Sequence, residues 1–472
     1  MTQTAPEKND NTFDLVIIGA GPAGMSAALR AGKSGLKTLL LDEQPELGGQ
    51  IYRNITTTDS QRVEILGSDY AHGKTMAETL NAYIANGKVT YWNNASVWQV
   101  DTDKTVYVLL NGKSTTVHAK AVLIATGAME RPFPVHGWTL PGVMTAGAGQ
   151  ILLKNAALVP SSPVVLAGCG PLLYLIAVQY LKAKVPIRAI LDTTPGTDWR
   201  LVLRHVRNLL VGWQYVSKGL NLLKAIKNAG IVLHHSVQGL RLEGKEQLEK
   251  VVFVSGGKEH VLPTQVCLLH QGVVPNTQIS WSLRANHVWD DAQLCWVPVL
   301  DEWCQLSIPG IFSAGDGASI GGALVAALQG ELAALGIIRQ LQPTKAGQVE
   351  PNATELRKAI ERHLAIRPFL NYQYRPRDEY RIPKDNDVMV CRCEEVTAGE
   401  IRAQVKLGCS GPNQTKSFSR CGMGPCQGRM CGLTVTELIA QTSGKTPQEV
   451  GYYRVRPPIK ALTLGQLAQF EP

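Results

Sequence analysis

The chain has 472 residues, 44% of them apolar and 18% charged, with a formal net charge of +9 and ten cysteines. At about 100–200 residues per domain this length predicts two to four domains, and the balance of apolar and charged residues excludes a disordered chain. Met1 to Asn11 is polar and reads as neither secretory signal nor anchor; the longest apolar stretch, Ala318 to Ile338, is broken by Gln329 and Glu331, so no bilayer span is expected.

The first element is a buried strand at Asp14–Ile18. It leads into Gly19-Ala20-Gly21-Pro22-Ala23-Gly24, a helical run from Met25 to Lys33, and a second strand at Lys37–Leu41 that ends in Asp42-Glu43. Strand, glycine turn, helix, strand and acid follow in the order of a dinucleotide-binding fold. Gly19 makes the tight turn, Gly21 lets a pyrophosphate approach the backbone, and Gly24 lets helix and strand pack closely. Pro22 and Ala23 complete the turn, and the helix N-terminus offers N–H groups to the phosphates. Asp42 lies eighteen residues after Gly24 and Glu43 nineteen, so either acid is placed to accept from a ribose hydroxyl.

Further segments extend the pattern: Pro45-Glu46-Leu47-Gly48-Gly49-Gln50, then Ala121 to Gly127, then Gly310 to Gly317, then Gly321-Gly322-Ala323. Their order and spread resemble the two-dinucleotide-binding-domain flavoproteins, the family of glutathione and thioredoxin reductases. The resemblance implies FAD. It places Asp316, with Gly315 and Ala323 beside it, at the flavin ribityl and phosphate. It places Gly48, Gly49 and Gln50 beside the pyrophosphate and isoalloxazine, and Ala95 to Trp98, with Val97 among them, at the adenine. Ala125, Thr126 and Gly127 form the turn that closes the first half of the flavin domain.

The second dinucleotide fold starts with a strand at Pro163–Ala167 and the turn Gly168-Cys169-Gly170-Pro171-Leu172-Leu173. Leu173 stands where the third glycine belongs, which impairs a nicotinamide nucleotide site. Asp192, after a strand at Ile187–Leu191, is still placed for a ribose, which leaves the pocket open to an adenine nucleotide as a structural ligand. The reductases of the family carry a redox cysteine pair; here Gly48-Gly49 is followed by Gln50-Ile51-Tyr52-Arg53, and Cys169, Cys267, Cys295 and Cys304 are scattered singly. Thiol–disulfide exchange needs two neighbouring sulfurs, so that chemistry is excluded. Cys169 reads as a packed thiol, and His136 and His270 as structural histidines.

The other six cysteines fall within the forty-one residues from Cys391 to Cys431. A chain with reduced thiols uses such a cluster for metal. Cys391-Arg392-Cys393 precedes a helical run, Ala398–Leu407, and then Cys421-Gly422-Met423-Gly424-Pro425-Cys426-Gln427-Gly428-Arg429-Met430-Cys431. Zinc is the alternative occupant, but Cys-x-Cys is cramped for tetrahedral zinc. The pattern resembles the bacterioferritin-associated-ferredoxin-like [2Fe–2S] domain. That match implies Cys391, Cys393, Cys426 and Cys431 as ligands, with Cys421 a rival to Cys431 because the spacing to Cys426 is the same. From Ile366 to Pro472, fifteen Lys/Arg face ten Asp/Glu. This excess suits a solvated face or a protein partner; no nucleic-acid motif accompanies it.

The expected fold class is α/β: two Rossmann-like dinucleotide-binding domains, glutathione- and thioredoxin-reductase-like, plus a small C-terminal helical [2Fe–2S] domain. The expected divisions are 11–155 with 270–342 for flavin, 156–269 for the inserted second domain, 343–384 as a connecting region and 385–472 for the cluster domain and tail. Nearly the whole chain resembles the FAD and [2Fe–2S] subunits of amino-acid and opine dehydrogenase complexes. Among these are the A-type subunits of octopine and nopaline oxidase, the B-type subunit of hydrogen cyanide synthase, and the alpha subunits of dye-linked proline and hydroxyproline dehydrogenases. The resemblance implies a glycine-oxidase-like flavoprotein partner that oxidises a C–N bond, with electrons crossing to this chain. It further implies an FMN at the subunit interface and a small ferredoxin-like subunit in some members. The expected location is cytoplasmic, with a peripheral position at the inner face of the membrane left open. A self-contained NAD(P)H-dependent oxidoreductase is the alternative.

Overall fold

The computed structural model describes residues 11–196 and 199–470. A seven-stranded sheet holds the first unit, in the order Thr90–Trp92, Thr38–Leu41, Thr12–Ile18, Lys113–Ile124, Thr105–Leu110 and Ala95–Val100, with Ile311–Ser313 also pairing with Lys113–Ile124. Its central strands are Val/Ile/Leu-rich and buried, as a parallel sheet covered on both faces requires. Register decides where the loops emerge. Ile18 pairs with Leu41 and with Ile124, and Ser313 pairs with Ile124. Four strands therefore end on one line, and Gly19, Asp42, Ala125 and Gly315 emerge from the same carboxyl edge.

The helix Pro22–Ser34 starts with proline in its first turn and stops at Gly35 in the left-handed conformation (φ 81°). A β-carbon on Gly24 would stand 1.8 Å from the Gly19 carbonyl oxygen. The helix packs on Ala323–Leu341, where a β-carbon on Gly330 would stand 2.0 Å from the Ala23 carbonyl oxygen. Ala323–Leu341 is the one helix among the described residues long and apolar enough to cross a bilayer; its face towards Pro22–Ser34 is buried, and its Glu331 pairs with Arg30.

The second sheet is wholly parallel, in the order Leu233–His234, Ile187–Asp192, Val164–Cys169, Val266–Gln271 and Val143–Thr145. The expected crossover near residue 155 lies earlier: Val143–Thr145 pairs with Val266–Gln271, and the helix Ala146–Ala156 packs on that sheet. A three-residue edge strand leaves too short an apolar run to register as a strand in sequence. Between the sheets, Ala128–Glu130 pairs antiparallel with Val273–Pro275, so the two crossings are tied together.

The region 343–384 is more helical than expected, with Ala346–Leu364 and Arg367–Gln373. A buried Arg381–Glu437 ion pair joins it to the C-terminal unit, where Ala398–Lys406, Pro412–Ser419 and Gly432–Ser443 pack with a short hairpin around Val390, Ile401, Val435 and Leu438. Thr397 and Glu400 cap the first of these helices reciprocally.

Gly24→Ala places a methyl group against backbone and is expected to cost about 1–3 kcal/mol. Gly347→Ala, where a β-carbon meets nothing within 4 Å, is expected to stay within about 1 kcal/mol of wild type or to stabilise. Thermal unfolding of both variants checks the contrast.

A dinucleotide cavity beside a thiol cluster

The aligned strand ends open onto a cavity of about 380 Å³, the size of a cofactor site. Of the residues expected at a dinucleotide, Gly19, Gly21, Pro22, Ala23, Asp42, Glu43, Gly49, Gln50, Val97, Ala125, Thr126, Gly127, Gly315, Asp316 and Ala323 all line it. Gly24 and Gly48 do not: both stand behind the wall, and a β-carbon on Gly48 would lie 2.2 Å from the Tyr52 carbonyl oxygen.

The two candidate acids have different environments. Asp42 is buried, with Oδ2 accepting from the Ala20 N–H at 2.6 Å and Oδ1 from the Gln44 N–H at 2.8 Å. Burial pushes its carboxyl up, so Asp42 braces the turn. Glu43 is half open to solvent, lines the cavity and holds Lys460 Nζ at 2.7 Å. Asp316 Oδ1 accepts from the N–H groups of Gly321 at 2.9 Å and Gly322 at 2.8 Å, which leaves Oδ2 for a ligand.

Cations also stand in the wall. Arg53 lines the cavity, and its Nε is buried without a partner among the described residues. Lys154 is 3% exposed; its Nζ donates to the Gln50 carbonyl at 3.1 Å, and burial, with Arg53 nearby, pulls its pKa down to about 7. The orphaned Arg53 Nε and the cramped glycine turn fit an anionic dinucleotide. Gln150, Asn276, Gln278, Arg429 and Lys460 also line the cavity. Sequence reasoning missed these residues and both cations. Only Arg53, directly after the Gly-Gly-Gln segment, had a local signal.

The tail brings five thiols together. Cys391, Cys421 and Cys431 Sγ atoms lie within 4.8 Å of one another and are buried. Cys393 and Cys426 face each other at 3.7 Å, nearer the surface. Two sulfurs on one tetrahedral metal, at about 2.3 Å each, stand about 3.8 Å apart, so the pair has ligand spacing. Hydrogen bonds from the Cys421 and Cys431 thiols hold Cys391 below the ordinary thiol range and push those two donors up. Glycine makes room here: a β-carbon on Gly424 would lie 2.2 Å from Cys393 Cβ. Tyr453 OH donates to Cys421 Sγ at 3.4 Å. Cys409 is buried but is not part of the trio.

Cavity and cluster share a wall. Gln278 lines the cavity, and its Nε2 donates to the carbonyls of Cys426 at 3.2 Å and Gln427 at 3.0 Å. Arg429, from the same cluster segment, also lines the cavity.

The second glycine turn is arranged otherwise. Leu173 is fully buried. Asp192, expected at a ribose, is buried and spends Oδ2 on Tyr174 OH at 2.8 Å and Oδ1 on the Thr194 N–H at 2.9 Å. Cys169 Sγ donates to Gln271 Oε1 at 3.1 Å and reaches the Tyr374 carbonyl at 3.5 Å, while Arg377 Nε donates to the Thr193 carbonyl at 3.0 Å. The chain's own connecting region thus reaches the strand ends beside this turn through Tyr374 and Arg377. Burial pushes the Cys169 thiol up to about 12, a packed thiol. His270 holds Glu130 at 2.7 Å under the paired crossings, and His136 faces Asp387 near the surface.

Residues 13–330 match the pyridine nucleotide-disulphide oxidoreductase family, and residues 386–470 match the sarcosine oxidase A3 domain. The A-type opine oxidase subunit of Rhizobium meliloti is 43% identical over 97% of this chain and 87% of its own length. Hydrogen cyanide synthase subunit HcnB of Pseudomonas protegens is 30% identical over 95% of this chain and 96% of its own. The L-proline dehydrogenase of P. horikoshii shares the fold at 21% identity, with a TM-score of 0.68 over 97% of this chain and 79% of that one. The chain is an oxidoreductase that belongs to the family of the A-type opine oxidase subunits and, through residues 13–330, to the pyridine nucleotide-disulphide oxidoreductases.

Proposed function

We propose that the chain is the electron-transfer subunit of a hetero-oligomeric complex that oxidises the C–N bond of an amino acid or opine. Oxidation takes place on a glycine-oxidase-like flavoprotein partner, and electrons leave through FAD and a [2Fe–2S] cluster held here. The observation that carries this reading is the shared wall: Gln278 touches both the dinucleotide cavity and the carbonyls of the thiol segment. The names of the relatives support the assembly, since they are called subunits of opine oxidase, hydrogen cyanide synthase and sarcosine oxidase.

FAD supplies two-electron uptake and one-electron release, and the cluster carries electrons singly. The chain's own residues hold and orient them. The N–H groups of the Gly19–Gly24 turn and of the helix start at Ala323 face the pyrophosphate. Glu43 accepts from the ribose, because Asp42 is committed to Ala20 and Gln44. Asp316 presents its free oxygen to the ribityl chain. Cys391, Cys393, Cys426 and Cys431 would hold the cluster, with Cys421 as a neighbouring thiol. The NAD(P)H-dependent alternative is disfavoured by the Tyr374–Arg377 segment lying over the second turn.

The isolated chain should bind FAD and iron yet oxidise no amino acid or opine until its partner is added; strong activity alone would overturn the reading. Anaerobic NADH or NADPH should leave the flavin absorbance unchanged over minutes. Cys393→Ser and Cys431→Ser should lose the absorbance to the red of the flavin bands while keeping FAD, and Cys409→Ser and Cys421→Ser should keep both. Glu43→Gln weakens a hydrogen bond to a charged acceptor, worth about 1.5–3 kcal/mol. FAD affinity measured by fluorescence quenching should fall roughly tenfold or more. Asp42→Asn should lower the melting temperature of the flavin-free protein instead.

A further inference from the structure

Lys154 is a buried lysine whose Nζ has one hydrogen-bond partner among the described residues, the neutral Gln50 carbonyl, at 3.1 Å. Among those residues no carboxylate pairs with it, and the charge acting on it is Arg53, of the same sign. An ammonium taken out of water needs a counter-charge or large compensation. Its Nζ lies 5.9 Å from the centre of the Tyr70 ring, which carries no full charge, and its side chain lines the cavity, so what the cavity holds is the available source of a full negative charge.

Two groups of a dinucleotide flavin can supply it. The pyrophosphate is already served by the turn at Gly19–Gly24 and by the helix start at Ala323. Lys154 stands on a different wall. Its helix, Ala146–Ala156, packs on the second sheet, and Gln150 from that helix and Leu172 from the second turn line the cavity with it. Those residues lie outside the adenosine edge formed by Glu43, Ala95 and Val97.

Resting on the FAD reading, we propose that Lys154 stabilises the negative charge of the reduced isoalloxazine and so raises the reduction potential of this subunit's flavin. Two electrons and one proton enter the neutral oxidised ring and leave it with one negative charge. The electrons come from the amine-oxidising partner, or from dithionite in vitro; the Lys154 ammonium supplies charge and transfers no proton.

The test uses the full chain reconstituted with FAD, in wild type, Lys154→Met and Lys154→Arg. Sulfite bonds through its lone pair to flavin N5 and also leaves the ring anionic, so its dissociation constant, read from the loss of flavin absorbance, reports the same charge. Lys154→Met should raise that constant at least tenfold and lower the two-electron potential, each tenfold corresponding to about 30 mV. Lys154→Arg should restore both to within about threefold of wild type. The proposal is overturned if Lys154→Met binds FAD with both values within twofold of wild type. It is equally overturned if FAD affinity falls while the potential stays put, because the cation then serves the phosphates. If Lys154→Met fails to fold, Lys154→Gln carries the same comparison. A wild-type chain that takes up no FAD would defeat the functional reading itself, whatever the variants do.

Discussion

The missing side chain at Gly24 sets the spacing on which the site depends. It allows the helix Pro22–Ser34 to lie against the Gly19 carbonyl, closer than any β-carbon permits. With that helix seated low, Ala323–Leu341 crosses it at Ala23 and Gly330, again through backbone contact. The loops from four register-matched strands then face one cavity between two helix starts. Asp42 completes the arrangement by tying the Ala20 and Gln44 amides to one carboxylate. A bulkier residue at either crossing would part the layers and leave the strand ends aligned around a misplaced turn.

What was legible in the sequence is what is local. The glycine turn, its helix, the acid pair and the Ala-Gly-Asp strand end each carry their signal within a few residues, and register does the rest. The choice between Asp42 and Glu43 was open because adjacent residues share a distance from Gly24, while only the fold shows which one the backbone consumes. Lys154 was invisible for the opposite reason. It sits in a helix of ordinary composition, and its burial comes from packing between units distant in sequence. Gln278, Arg429 and Lys460 likewise reach the cavity by tertiary placement alone. Among the thiols, spacing grouped Cys421 with Cys431 as rivals; the fold puts both against Cys391.

The two glycine turns show how one fold takes two roles. At the first, the acid after the second strand is left partly free, and the strand ends open into a cavity. At the second, Leu173 fills the helix–strand gap, Asp192 bonds to Tyr174, and a segment some two hundred residues further on reaches the strand ends. The same topology thus opens onto a cavity in one half and is packed against by a distant segment in the other. That second half carries Ala146–Ala156 and holds its buried lysine against the first cavity.

Gln278 ties the wall of the dinucleotide cavity to the backbone of the thiol segment. Its single amide nitrogen is shared between the carbonyls of Cys426 and Gln427, while its side chain forms part of the dinucleotide wall. Were metal to order the thiol segment, part of the ordering of the cavity would come with it, and filling the cavity would return the same free energy, since linkage between sites is reciprocal. Under the functional reading above, loading of one site then favours loading of the other, by no more than the worth of a hydrogen bond, about 1 kcal/mol.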